Sequence, residues 1–146
     1  MRTLATRSAT MIPGTAIASR AIQIFRTGQR VLFVRRGGRC PSREFLDDCQ
    51  KPQRKKFDGS FDTLIRMGAP YHNEQRFKAL TGKGKPLWEF KEHDHRIYCR
   101  RVVRGTAVDV VLLRGWVKDK TKGKQENAEI EKALNLLKEL DSERDG

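Results

Sequence analysis

Acidic side chains are absent from the first 43 positions of this 146-residue chain, which hold nine arginines and no lysine; Glu44 is the first carboxylate. Cysteine is scarce. Cys40, Cys49 and Cys99 form no C-x-x-C pair, and none has a histidine at zinc-finger spacing. That argues against a disulfide framework and a zinc site, and favours reduced, partly buried thiols in a cytoplasmic protein. Long apolar runs are lacking too: none reaches the roughly 18 residues a spanning helix needs. No apolar core follows Arg2, which excludes a secretory signal.

What is present in excess is positive charge. There are 31 Lys and Arg against 18 Asp and Glu, a formal charge of +13. Such a balance points to an anionic partner: nucleic acid, an anionic membrane surface or an acidic protein. The charge is uneven. Residues 125–146 hold seven acids and three bases and are net −4, leaving +17 for residues 1–124. An acidic C-terminal helix beside a basic body has two readings, a solvated face or a segment folded back over the basic surface.

Residues 1–28 read as a basic extension. Their Arg-rich, Ser/Thr-rich, acid-poor composition is that of an organelle transit peptide. A disordered basic arm and an extension upstream of Met11 compete with that reading, and we expect no regular structure here. Residues 29–141 then form one domain, and 142–146 a tail.

Within the domain, Val31–Val34 predicts a first strand. Pro41 opens a short helix to Gln50 with Ser42 as the N-cap. A second helix follows from Lys51. Phe57, Phe61, Leu64 and Ile65 form its buried stripe, and Gly68 and Pro70 end it. Thr81–Pro86 is a glycine-rich turn without the spacing of a phosphate-binding loop. Three strands come next, at Leu87–Lys91, Arg96–Val103 and Val108–Val117. Val102 and Val103 are expected in the core, and the last run is continuous enough for a central strand. Glu126–Leu140 is an amphipathic helix with Ile130, Ala133, Leu134, Leu137 and Leu140 on one face. The order predicts an α+β fold: a small antiparallel sheet, an N-terminal helical hairpin and a C-terminal helix, with the helices on one face.

The runs Leu87-Trp88-Glu89-Phe90-Lys91, Arg96-Ile97-Tyr98-Cys99 and Val110–Lys120, followed by the acidic helix, resemble the RelE/HigB toxins of type II toxin–antitoxin systems. The resemblance spans roughly residues 30–140 and is nearest to the phage-derived, host-inhibition-of-growth branch. In that branch a strand reads Leu-Leu-His-Gly-Phe-x-Lys-Lys and leads into a helix containing Glu-Ile-Glu. Leu112, Leu113, Gly115, Trp116 and Lys118 match that strand, and Glu129, Ile130 and Glu131 match the helix. The resemblance implies the small microbial-RNase-like (RelE/ParE) fold and metal-independent messenger RNA cleavage at the ribosome without a cofactor. It also implies an antitoxin partner, often a helix-turn-helix protein, that masks the basic face.

Metal-free RNA cleavage uses the ribose 2′-hydroxyl as nucleophile. It needs a base, cations for the phosphorane and an acid for the leaving 5′-oxygen. On the resemblance, the catalytic set is Lys91, Arg96, Arg114 and Lys118. Lys91 is a phosphate contact or the base, Arg96 the phosphate clamp, and Glu89 orients the arginine. Trp116, Lys120, Lys122 and Lys124 bind RNA by stacking and by backbone contacts. Arg114 stands where many relatives carry histidine, and a guanidinium can clamp but not exchange a proton; His93 and His95 are the nearest substitutes. Each residue also has an ordinary reading. Lys91 would be a solvated strand-end lysine, Arg96 a cross-strand partner of Glu89, Tyr98 and Trp116 packing residues, and His93 and His95 exposed loop residues. Two other functions fit the same bulk features, a ParE-like gyrase inhibitor without catalysis and a nucleic-acid-binding accessory protein.

Overall fold

A computed structural model describes residues 19–24, 30–34, 39–118 and 123–145. The elements run β1 (Ser19–Ile24), β2 (Arg30–Val34), α1 (Pro41–Asp48), α2 (Lys51–Met67), β3 (Phe77–Ala79), β4 (Trp88–Glu92), β5 (His95–Arg104), β6 (Ala107–Val117) and α3 (Gly123–Asp145). The fold is α+β, with one six-stranded sheet in the order β1-β2-β6-β5-β4-β3.

Two features of the predicted sheet are corrected. The sheet is mixed, because β2 pairs parallel with β6 while every other pair is antiparallel. A parallel pair needs a crossover, and the α1–α2 hairpin begins the long connection that provides it. The helices also lie on both faces. Val110 and Leu112 join a core with Phe57, Phe61, Leu64 and Ile65 of α2, whereas Val111 and Leu113 join a second core with Ala133, Leu136, Leu137 and Leu140 of α3. A strand with apolar side chains on both faces requires cover on both sides, and Val108–Leu113, apolar except for the ion-paired Asp109, is buried throughout.

Smaller corrections follow from local contacts. Cys40, not Ser42, is the N-cap of α1, with Pro41 in the first turn. The Ser42 hydroxyl instead donates to Leu112 O at 3.2 Å, tying α1 to β6. Val103 is exposed and Val102 only half-buried, so neither joins a core as expected: they lie near the end of β5, beside its turn into β6. Ser19–Ile24, expected within the extension, pairs antiparallel with β2. The other positions of residues 1–28 lie outside the described residues, and α3 continues past residue 141.

The α2 face is aromatic. Phe61 meets Phe90 edge-on at 4.9 Å, and Phe77 stacks on Phe90 at 4.4 Å. At the other end of that face Gly115 lets α1 approach β6. A Cβ there would sit 2.3 Å from Phe45 Cδ2, inside a ring already packed against Phe57 and His95. Gly115→Ala is therefore expected to destabilise the fold by about 1–3 kcal/mol through overpacking, measured as a lower urea midpoint at unchanged slope.

Candidate nucleic-acid interface

Strand register brings the expected cations together. On the α3 face, Lys78 stands opposite Glu89, Glu89 opposite Tyr98, and Tyr98 opposite Arg114. The next row pairs Lys91 with Arg96 and Arg96 with Trp116. Directly opposed residues in such rows lie about 5 Å apart at Cβ, so seven side chains from four strands share one small field.

Arg114 reaches this face because of a β-bulge. The register shifts so that Tyr98 pairs with Arg114 while Cys99 pairs with Leu112, leaving Leu113 as the extra residue. Leu113 and Arg114 consequently point the same way, toward α3. Strict alternation would have sent Arg114 to the α1–α2 face.

The β4–β5 turn fixes Arg96. His93 adopts φ 57°, a left-handed conformation uncommon outside glycine and asparagine. The Arg96 Nη1 donates to His93 O at 2.5 Å and to His95 O at 3.0 Å. Its Nε lies 3.9 Å from Glu89 Oε1, a loose ion pair. The guanidinium is thus held mainly by the turn, and Glu89 is a weaker partner than the sequence suggests.

Burial sets the electrostatics of the row. Glu89 is 4% exposed, and desolvation raises its pKa against the opposing pull of Arg96, Lys91 and Lys78. Partial burial lowers the pKa of the Lys91 ammonium, with further lowering from Lys78, Arg96 and Lys118 and an opposing effect from Glu89. The Tyr98 hydroxyl is driven well above its ordinary range, chiefly by burial. Lys118 closes the row through its backbone N–H, which donates to Asp94 O at 2.7 Å.

Two carboxylates of α3, not predicted for this site, complete it. Glu129 Oε1 lies 3.2 Å from Arg114 Nη2, and Glu126 Oε1 lies 3.3 Å from Lys118 Nζ. Around them are five buried polar atoms without a hydrogen-bond partner: Glu89 Oε1, Tyr98 OH, Arg114 Nε, Trp116 Nε1 and Glu129 Oε1. Only one more, Arg101 Nε, occurs among the other described residues. The Tyr98 hydroxyl and the Trp116 indole interact electrostatically but lack hydrogen-bond geometry.

The remaining candidates divide. Trp116 is 6% exposed and packs in the α3-side core, so its ring is a wall of the field and not an open stacking platform. His95 lies on the opposite face between the rings of Phe45 and Phe57, at 5.7 and 6.5 Å, and so cannot replace a histidine at position 114. Its Nδ1 is 2.8 Å from Asp94 Oδ1. His93 is exposed in the turn. Lys120 and Lys122 lie outside the described residues, as does the side chain of Lys124, whose backbone is in the first turn of α3. Lys78 was the cation missed in the sequence: a three-residue strand carries no periodicity from which to read its facing. Among the described residues no group of three His, Cys, Asp or Glu side chains could hold a metal ion, and no described helix is long and apolar enough to cross a membrane. The chain matches no protein-family model, and no curated protein matches it.

Proposed function

We propose that this chain is a RelE/HigB-type toxin that cleaves messenger RNA at the ribosome without a metal ion. The observation that carries the reading is the field of Lys78, Lys91, Arg96, Arg114 and Lys118 on one sheet face, with Glu89 buried among them. Lys91 accepts the 2′-hydroxyl proton, a role helped by its lowered pKa. The 2′-oxygen then attacks phosphorus. Arg96 and Arg114 hold the non-bridging oxygens of the phosphorane, and their charge matters most as negative charge builds there. Lys118 protonates the departing 5′-oxygen. The products are a 2′,3′-cyclic phosphate and a 5′-hydroxyl. A cognate antitoxin, of the helix-turn-helix kind on this reading, silences the protein by covering the same cations.

One observation favours the non-catalytic, ParE-like alternative. Neither His93 nor His95 enters the field, so both proton transfers fall to lysines. Induction in cells separates the two readings. The nuclease produces growth arrest together with new messenger 5′ ends by primer extension. Arrest with intact messengers would move the assignment to the non-catalytic reading, and uninhibited growth would remove both.

A further inference from the structure

We infer that the first turns of α3, up to Glu129, are a built-in cover for this face: Glu126 and Glu129 occupy Lys118 and Arg114 where RNA phosphates would sit, and RNA binds by displacing their carboxylates. The inference rests on the RNA-face reading above and adds a regulation to it.

Three observations support the cover. The first is chemical. A carboxylate offers a guanidinium or ammonium the same acceptor geometry and sign of charge as a phosphate, and both α3 carboxylates lie within 3.3 Å of a cation from β6 or its C-terminal end. The second is the division of labour along the helix. Ala133, Leu136, Leu137 and Leu140 are buried in the α3-side core, whereas Glu126 and Glu129 meet the sheet through charge. Apolar burial anchors α3 from Ile130 onward, and ahead of that point the ion pairs of Glu126 and Glu129 are contacts that another anion can replace. The third is incomplete satisfaction. Arg114 Nε and Glu129 Oε1 are buried without hydrogen bonds although their side chains form an ion pair. Glu89 Oε1, Tyr98 OH and Trp116 Nε1 are unsatisfied beside them. The N–H donors among these atoms, Arg114 Nε and Trp116 Nε1, are groups from which a phosphate in the place of Glu129 can accept. Lys132 Nζ, 3.2 Å from Glu129 Oε2, steadies the carboxylate from the solvent side.

The test compares full-length wild type, Glu129→Gln and Glu131→Gln in titrations with a short fluorescein-labelled single-stranded RNA at fixed salt. Each variant removes one negative charge from α3, but Glu131 is solvent-exposed, on the side of the helix away from Arg114 and Lys118. Glu129→Gln is expected to lower Kd roughly fivefold to tenfold, and Glu131→Gln by less than about twofold. Glu126→Gln, at the more exposed rim, is expected to shift Kd in the same direction by a smaller factor and serves if Glu129→Gln folds poorly. Equal affinities for Glu129→Gln, Glu126→Gln and Glu131→Gln, with RNA still bound by wild type, overturn the cover and leave the RNA reading standing. No RNA binding by any chain overturns both.

Discussion

Arg96→Ala is expected to reduce RNA cleavage by at least about 100-fold, the usual loss when one preorganised donor to a developing oxyanion is removed. Arg96 is the most firmly placed cation of the field. Its Nη1 is fixed by two carbonyls of the β4–β5 turn, and its side chain is only 12% exposed. Fixing the group beforehand means that little reorganisation is needed when charge builds on the phosphorane. The fold should survive, because the two carbonyls freed by the change lie at a turn where water can reach them, at a cost of about 1 kcal/mol. Arg96→Lys should recover only part of the rate, since an ammonium cannot keep the turn contacts and present a planar fork to phosphate. Single-turnover cleavage and growth arrest on induction are the measurements. Full toxicity in Arg96→Ala would take Arg96 out of the site.

The largest stability effect is expected at the other end of the sheet, where Asp109 is buried between two guanidiniums. Arg30 donates to it through Nε and Nη2 at 3.0 and 2.6 Å, and Arg104 through Nε and Nη2 at 3.0 and 2.8 Å. The carboxylate is 3% exposed. Burial alone would raise its pKa, but hydrogen bonds and charge from Arg30 and Arg104 outweigh this, and the net shift is downward. Asp109→Asn should cost about 3 kcal/mol, because Arg30, with a side chain only 14% exposed, keeps its charge in a poorly solvated place. A fall in melting temperature on the order of 10 °C is the readout. The sign of the pH dependence follows from the depressed pKa: the stabilisation is complete above the ordinary aspartate range and is lost as pH falls through the folded-state pKa. Wild type should therefore lose its advantage over Asp109→Asn on acidification; a constant difference down to strong acid would refute the linkage.

Much of the scaffold could be read from residue patterns. The stripe Phe57, Phe61, Leu64 and Ile65 is buried as its spacing requires, and the continuous run from Val108 is an interior strand. The mixed pairing was not legible, because an apolar tetrad such as Val31–Val34 does not say which neighbour it joins or in which direction. The grouping of Lys91, Arg96 and Arg114 followed only once strand register was known. The α3 carboxylates did carry a signal: Glu126 and Glu129 continue, at helical spacing, the face formed by Ala133, Leu137 and Leu140. Acids on an otherwise apolar stripe must meet either solvent or cations, and here they meet Lys118 and Arg114.

The extra residue at Leu113 gives β6 two phases. Before it, odd-numbered side chains look toward α3; after it, even-numbered ones do. Removing that single position would shift every later letter by half a period without altering their order. Arg114 and Trp116 would then crowd Phe45 and Phe57, while the small Gly115 would be left facing the carboxylates. Aligning this chain with another by residue identity alone, with a one-residue gap in this strand, can therefore equate side chains that stand on opposite sides of the sheet.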